Sequence, residues 1–355
     1  MIYFLIATFL SVLLTVVVKK LAQKLNIFDF PDKERKWHKQ LTPLLGGAAI
    51  FVSFWSVVFY LYNYSGIVFK NFNAKQLILF FLAGLILMIV GYYDDKFKIV
   101  YHYRLLFSTL AVLLVLAGGL NFDGITNPFG GTIGLDFWKI HTSNFGTILV
   151  GVEILVFLWL MGMMYAVKIL DGLDGLATGV VMIGALAVAA LAGGSTKFFQ
   201  PDVSLVALIL AGSCLGFLIF NFYPAKIFLG EGGGQFLGMM LGVLAIIAGS
   251  KIATALLVMA VPIIDLVWVV MARFTSGQSI SKGDRRHLHF KLVDIGFKQW
   301  QAVLFFYGFS ALFGFSALYM SSIFKTVSLL LLVMIIIIIE ICIHKRQTYA
   351  DKIQE

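Results

Sequence analysis

The sequence predicts an all-α, polytopic integral membrane protein. Of its 355 residues, 60% are hydrophobic and only 13% are charged, and the mean hydropathy is +0.95. A soluble fold of this length has too small an interior to hide so much apolar surface. The apolar runs are continuous and about 20 residues long, which is the length of a membrane-spanning α-helix, and they lack the alternation of a transmembrane β-strand. These observations exclude a cytosolic enzyme, a disordered chain and a disulfide-stabilised scaffold.

Eleven apolar runs are predicted to span the membrane, within one domain that covers residues 1–355. Their predicted bounds are 2–18, 44–62, 76–92, 103–120, 146–166, 175–193, 203–222, 236–250, 252–272, 300–321 and 325–343. The first run has no basic segment before it and no small-residue cleavage site. We therefore expect it to be retained as a span rather than removed as a signal peptide. An odd number of spans puts the two termini on opposite sides of the membrane.

The distribution of basic residues predicts the orientation. Segments on one side of the predicted spans hold 21 of the 27 Lys and Arg residues, and the other side holds six. Because Lys and Arg concentrate on the cytoplasmic side of a membrane, we expect the N-terminus outside and the C-terminus in the cytoplasm. This distribution explains the net charge of +9, so we expect no nucleic acid as a partner. The predicted cytoplasmic segments are 19–43, 93–104, 167–174, 223–235, 273–299 and 344–355.

Two pairs of carboxylates lie in these cytoplasmic segments. Asp94 and Asp95 follow the third span, and because adjacent carboxylates repel, at least one should meet a cation or a proton. They indicate a base or a metal-facing carboxylate or, alternatively, a solvated helix end. Asp171 and Asp174 lie in the motif Asp-Gly-Leu-Asp-Gly. They would share one face if this segment were helical, or Asp171 would cap the sixth span.

Two further cytoplasmic segments carry polar motifs. Gly230-Glu231 is followed by three glycines, a pattern typical either of an anion-binding turn with a metal ligand or of a flexible inter-helix turn. Arg286, His287 and His289 lie in a basic loop that suits a polyphosphate. The alternative is a loop whose cations only set the topology. Zinc is not expected there, because no third ligand follows at the usual spacing.

Read together, these segments resemble the polyprenyl-phosphate N-acetylhexosaminyl 1-phosphate transferases of glycosyl transferase family 4. The matching motifs occur in order along nearly the whole chain. They are the loop from Asp29-x-Pro31 to Gly46-Gly47, the pair Asp94-Asp95, Asp171-Gly-Leu-Asp174-Gly, Asn221-Phe-Tyr-Pro224-Ala-Lys226 into Gly230-Glu231, and Arg286-His287-Leu-His289. The last motif is closer to the undecaprenyl-phosphate N-acetylglucosaminyl branch than to the phospho-N-acetylmuramoyl-pentapeptide branch.

The resemblance implies an enzyme that moves N-acetylhexosamine 1-phosphate, with N-acetylglucosamine as the first candidate, from a UDP-sugar to undecaprenyl or another polyprenyl phosphate. UMP would be released on the cytoplasmic face of the inner (plasma) membrane. This reaction would be the first membrane step of a cell-envelope glycan such as lipopolysaccharide or teichoic acid. A homodimer is an option that only the resemblance suggests.

The resemblance also implies roles for individual residues. The catalytic residues would be Asp94, Asp95, Asp171 and Asp174. Glu231 and Asp171 would hold Mg²⁺, with Mn²⁺ as the alternative ion. The substrates would be bound by Lys168, Asn221, Lys226, Arg286, His287 and His289, with Arg35 and His38 recruiting the anionic lipid.

Four positions depart from the family pattern. Tyr165 and Lys168 stand where the family usually has two Asn, Glu231 stands for an Asp, and Phe290 stands for a His. A protonated lysine cannot bind a metal, so we expect Lys168 either to pair with Glu231 or to contact a phosphate. These departures keep open a non-catalytic relative, or one with altered chemistry.

A secondary transporter is the other alternative, because eleven spans also suit that class. Transporters place polar residues near the bilayer midplane. Asp265 is the only plausible midplane site in this sequence. We expect it instead to support a helix bend or an inter-helix hydrogen bond.

Overall fold

The protein is mainly helical, as predicted. The computed structural model describes residues 1–30, 41–120, 125–126, 132–133, 139–142, 146–194, 199–248, 252–275 and 287–354. The helices are α1 (Ile2–Lys24), α2 (Gly46–Tyr64), α3 (Ala74–Phe97), α4 (Tyr101–Ala117), α5 (Val150–Leu170), α6 (Leu176–Gly194), α7 (Pro201–Asn221), α8 (Glu231–Ile247), α9 (Ile252–Val258), α10 (Ala260–Thr275), α11 (Leu288–Asp294), α12 (Gln299–Ser316) and α13 (Ser322–Gln354). Every predicted span overlaps at least one of them.

Short strands form three antiparallel pairs within the described residues, and none of them was predicted. The pairs are β1 (Phe28–Asp29) with β2 (Thr42–Pro43), β3 (Ile125–Thr126) with β4 (Thr132–Ile133), and β5 (Lys139–Thr142) with β6 (Gly146–Leu149). The predicted fifth span begins too early for this reason, since residues 146–149 form a strand and the helix begins at Val150.

Six helices are long and apolar enough to cross a membrane, namely α1, α2, α3, α5, α6 and α7. Three shorter apolar stretches accompany them: α4, α8 and residues Ile323–Ile339 of α13. An all-α membrane protein is thus the architecture. The number of eleven spans, the N-outside orientation and the single domain stay predictions.

The predicted ninth span is two helices rather than one. Its helical hydrogen bonding is interrupted because Pro262 has no N–H to donate to the carbonyl of Val258, four residues earlier. The Ser310 hydroxyl of α12 donates to that carbonyl instead, at 2.9 Å. The buried carbonyl therefore has a partner, and the helix break is stabilised by its neighbour.

Helix α8 lies in the core of the bundle and begins five residues before the predicted span. A Cβ atom built on Gly47 of α2 would overlap the Cα atom of Gly233, and one built on Gly91 of α3 would overlap the backbone nitrogen of Gly232. The glycines after Glu231 therefore lie inside a helix and allow its close packing against α2 and α3. The prediction of a flexible or anion-binding turn over these glycines is wrong.

A buried polar cluster joins the beginnings of α3 and α7. The carboxylate of Asp202 accepts hydrogen bonds from the backbone N–H and the side-chain amide of Asn71, both at 2.7 Å. Gln200 in turn donates to the Asn71 side-chain oxygen at 3.2 Å. Both oxygens of Asp202 are thus hydrogen-bonded, which satisfies a carboxylate that is almost fully buried.

Candidate active site

One cavity of about 330 Å³ lies where α3, α5 and α7 end and α8 begins. Five carboxylates and one ammonium group of the described residues line it. They belong to Asp29, Asp95, Asp171, Asp174, Glu231 and Lys168. The cavity therefore gathers the acidic motifs that the sequence analysis singled out, from segments far apart in the chain.

Asp171 and Asp174 enter the cavity from a turn, not from a helix. Helix α5 ends at Leu170 and α6 begins at Leu176, so both the shared-face and the helix-cap predictions are wrong. Gly175 has a φ of +82°, a left-handed conformation that favours glycine, and it completes the turn. The Asp174 carboxylate accepts the backbone N–H of Ala225 at 2.9 Å, which fixes the turn against the segment after α7.

Asp94 and Asp95 point to different partners, because consecutive residues on a helix lie about 100° apart around its axis. Asp95 faces the cavity and accepts the backbone N–H of Glu231 at 3.2 Å, at the positive end of α8. Asp94 faces α4, where Arg104 pairs with it at 3.2 Å. Both aspartates are buried, so the alternative of a solvated helix end is wrong.

Lys168 pairs with Glu231, which is one of the two alternatives left by the sequence. Its ammonium contacts the Oε1 atom of Glu231 and lies 5.5 Å from the ring centroid of Tyr165. Gln235 donates to the same Glu231 oxygen at 3.3 Å, and Ser108 donates to Gln235 at 3.1 Å. Two of the four departures from the family pattern thus form one ion pair, with Tyr165 beside it.

The cavity carries an excess of negative charge among its described lining residues. The pKa of Asp171 is raised well above its usual range, first by loss of hydration and then by the carboxylates of Asp95, Glu231 and Asp174. Asp171 therefore holds a proton more readily than a carboxylate in water does. A phosphate anion can enter this cavity only if cations or protons compensate these charges.

The residues around Glu231 do not fit a divalent cation. In the part of the chain that the structure describes, no group of three or more His, Cys, Asp or Glu side chains is arranged to hold a metal ion. Lys168 contacts Glu231 and places a positive charge beside the carboxylate that the resemblance assigns to the ion. The Mg²⁺ expected from the resemblance, with Mn²⁺ as its alternative, stays a prediction.

The first histidine of the basic loop is held by Asp265. His287 Nδ1 lies 2.9 Å from one Asp265 carboxylate oxygen, and the backbone N–H of Leu288 donates to the other oxygen at 2.8 Å. The predicted inter-helix hydrogen bond of Asp265 is confirmed. Asp265, the only plausible midplane site for a transporter, is thus bonded to the histidine loop.

The second histidine packs beneath the aspartate turn. His289 is fully buried, and neither of its ring nitrogens has a hydrogen-bond partner. Burial lowers its pKa to about 4, so the ring is neutral at neutral pH. A Cβ atom on Gly172 would lie 2.6 Å from His289 Nε2 and 2.7 Å from the ring of Phe290. Glycine in the motif thus allows the turn to lie directly on the histidine loop.

The remaining predicted residues divide between the cavity and its surroundings. Asn221 lines the cavity, and its side-chain amide donates to the carbonyl of Ile227 at 3.0 Å. Lys226 is exposed and is not among the residues that line the cavity. Arg35, His38 and Arg286 lie outside the described residues.

Two residues with polar side chains that line the cavity were missed as site residues. Asp29 ends strand β1, and Gln299 begins α12. The signal for Asp29 was present, because it is the first residue of the Asp-x-Pro motif. Nothing in the sequence pointed to Gln299, which reaches the cavity only through the packing of α12.

Comparison with known proteins gives a consistent picture. Residues 77–249 match the model of glycosyl transferase family 4. A probable undecaprenyl-phosphate N-acetylglucosaminyl 1-phosphate transferase of Bacillus subtilis is 30% identical, over 86% of this chain and 80% of its own. A decaprenyl-phosphate N-acetylglucosaminephosphotransferase of Mycobacterium tuberculosis is also 30% identical, over 82% and 74% of the two chains. A phospho-N-acetylmuramoyl-pentapeptide-transferase of Bacillus licheniformis is 28% identical, over 86% and 91%. The chain belongs to glycosyl transferase family 4.

Proposed function

We propose that the protein transfers N-acetylglucosamine 1-phosphate from UDP-N-acetylglucosamine to undecaprenyl or another polyprenyl phosphate. The observation that carries this proposal is the convergence of Asp95, the Asp171–Asp174 turn and Glu231 on one cavity at the helix ends. A membrane lipid presents its phosphate at this depth, where the apolar helices end. The names of the two relatives with 30% identity support the sugar and the lipid.

The reaction joins two anions and needs no oxidant or reductant. An oxygen of the lipid phosphate attacks the phosphorus of UDP-N-acetylglucosamine that carries the sugar. The bond from this phosphorus to the bridging oxygen breaks, and its electron pair leaves with UMP. Catalysis of such a transfer consists mainly of positioning and charge neutralisation.

The cavity residues suit these tasks. Asp95 is held by the first N–H of α8, so its carboxylate can orient the lipid phosphate or take its proton. Asp171, with its raised pKa, can hold a proton and donate it in a hydrogen bond to a phosphate oxygen. Asp174 keeps the turn in place through Ala225. We assign the cavity to the cytoplasmic face of the inner (plasma) membrane, in line with the distribution of Lys and Arg.

The protein, if it acts in this way, starts a cell-envelope glycan, because the product is a lipid that carries its first sugar. A relative without catalysis is the second candidate, and the Lys168–Glu231 pair favours it. Both candidates predict that UDP-sugars bind. Only the transferase predicts that UMP forms.

The test is UMP release by the purified protein with undecaprenyl phosphate and a panel of UDP-N-acetylhexosamines. We expect UMP only when both substrates are present, and fastest with UDP-N-acetylglucosamine. Binding of UDP-sugars without UMP from any combination would replace the proposal by the non-catalytic candidate. Accumulation of a substrate inside liposomes without UMP would indicate a transporter.

A further inference from the structure

The Lys168–Glu231 ion pair lies in the wall of the cavity that the proposed function assigns to the diphosphate. Lys168 belongs to the last turn of α5, and Glu231 is the first residue of α8. The two helices pack closely, since a Cβ atom on Gly234 would lie 3.3 Å from the Cα atom of Lys168. The backbone positions of both partners are therefore fixed by the core.

The ammonium group is also held from other sides. The ring of Tyr165 lies one helical turn before Lys168, and its centroid is 5.5 Å from the ammonium nitrogen. Gln235 holds the Glu231 carboxylate, and Ser108 holds Gln235. A flexible lysine side chain is thereby given one orientation, which lowers the entropic cost of contacting a ligand.

The pair remains open to the cavity. The Lys168 side chain is 25% exposed and that of Glu231 is 14% exposed, so a ligand in the cavity can reach the ammonium. A divalent ion on Glu231 would have to lie beside this ammonium, and a lysine offers it no lone pair while protonated. A phosphate oxygen, in contrast, is attracted to the same position.

We propose that the Lys168 ammonium, held by Glu231, is the cation that binds the diphosphate of the nucleotide sugar. It takes the place of a divalent ion at this position. Glu231 is then a positioning residue for Lys168 and not a metal ligand. This inference rests on the proposed function for the identity of the ligand.

The first experiment measures the affinity of the purified full chain for UDP, with EDTA and with Mg²⁺. We expect the wild-type protein to bind UDP equally in the two buffers, within about twofold. Lys168→Gln removes a charge-assisted hydrogen bond and should weaken binding in EDTA by about 10- to 100-fold. Lys168→Arg keeps the charge and should lose no more than about tenfold, since its planar group fits the pocket less well.

Lys75→Gln is the matched control. Lys75 is exposed in the first turn of α3, about 30 Å along that helix from Asp95, so the same change of residue there should leave UDP affinity unchanged. Two results would each overturn the proposal. One is wild-type binding of UDP that is lost in EDTA and restored by Mg²⁺. The other is a Lys168→Gln variant that melts like the wild type and binds UDP as tightly.

The second experiment measures Mn²⁺ binding by electron paramagnetic resonance in the wild type and in Glu231→Gln. The proposal expects the same Mn²⁺ occupancy in both proteins, and loss of Mn²⁺ on Glu231→Gln would contradict it. Neither experiment needs turnover, so the proposal for Lys168 is tested independently of the transferase assignment. That assignment fails instead if UDP binds in EDTA but no sugar and lipid together release UMP.

Discussion

Both ends of α3 lie beside buried carboxylates, but the hydrogen bonding of these carboxylates differs between the two ends. At its beginning, both oxygens of Asp202 accept hydrogen bonds from Asn71, at 2.7 Å each. At its end, Asp94 keeps one buried oxygen without a partner. His289, which packs against Gly172 of the aspartate turn, has two unpartnered ring nitrogens. The pKa of Asp171 is raised there as well.

The difference separates a structural cluster from a binding site. A buried carboxylate whose oxygens are both hydrogen-bonded has little to gain from a ligand, and its contribution is to stability. Carboxylates that crowd one cavity and raise the pKa of a neighbour are stabilised when a cation or a proton-sharing ligand arrives. Substitutions at the two ends should therefore affect different measurements.

The largest expected effect is on activity at the cavity end. Asp95→Asn removes the charge and leaves an oxygen that can still accept the Glu231 N–H, so the fold should persist. We expect UMP release to fall by at least about 100-fold, as is typical when a group that moves or orients a proton is lost. Asp202→Asn is the control and should keep its rate. Equal losses in the two variants would contradict the distinction between the ends.

The next effect is on stability at the beginning of α3. Asp202→Ala leaves two donors of Asn71 without an acceptor, which should lower the free energy of unfolding by about 2–4 kcal/mol. The measurement is thermal unfolding in detergent, together with the affinity for UDP. The melting temperature should fall while the affinity stays constant. A changed affinity with an unchanged melting temperature would show that this cluster is coupled to the cavity.

The smallest effect is a pH dependence of stability from His289. Its pKa is about 4 in the folded protein and 6.5 in an unfolded chain, so the unfolded state binds the extra proton between these values. Stability should therefore fall as the pH drops from 6.5 towards 4, and this contribution should be fully present above pH 6.5. His289→Phe, which suits the neighbouring rings of Phe290 and Phe306, should flatten this part of the curve.

The exposed His102 provides the control for that measurement. His102→Gln should leave the pH dependence of the melting temperature as it is in the wild type. If the melting temperature of His289→Phe depended on pH as that of the wild type does, the His289 ring would not be buried in its neutral form.

The sequence was sufficient for the long helices and for most of the charged residues that line the cavity, for different reasons. Apolar runs identify the helices because membrane spans are long and uniform, whereas strands as short as Phe28–Asp29 leave no pattern. The break after Val258 follows from Pro262, which the sequence shows, whereas the stabilising hydrogen bond from Ser310 comes from a distant part of the chain. The two helix starts were missed in opposite directions. The apolar run begins at 146, before the helix at Val150, whereas α8 begins at Glu231, before the apolar run at 236.

The sequence motifs identified residues that line the cavity, but they did not predict the contacts between them. Asp95, Asp171 and Glu231 were all named in advance, because their motifs match a family. Asp94 pairs with Arg104, and Lys168 pairs with Glu231. Both pairs depend on side-chain directions that only the packing of the helices determines. The departures from the family pattern were visible in the sequence, but their pairing was not.

The most direct test of the central claim follows the sugar-bearing phosphorus of UDP-N-acetylglucosamine. The purified protein would be given this substrate labelled at the β-phosphorus, with undecaprenyl phosphate as the acceptor. We predict that the label passes to the lipid and that the released nucleotide is unlabelled UMP. Label that remains in released UDP would show transfer of the sugar without its phosphate, and would contradict the account.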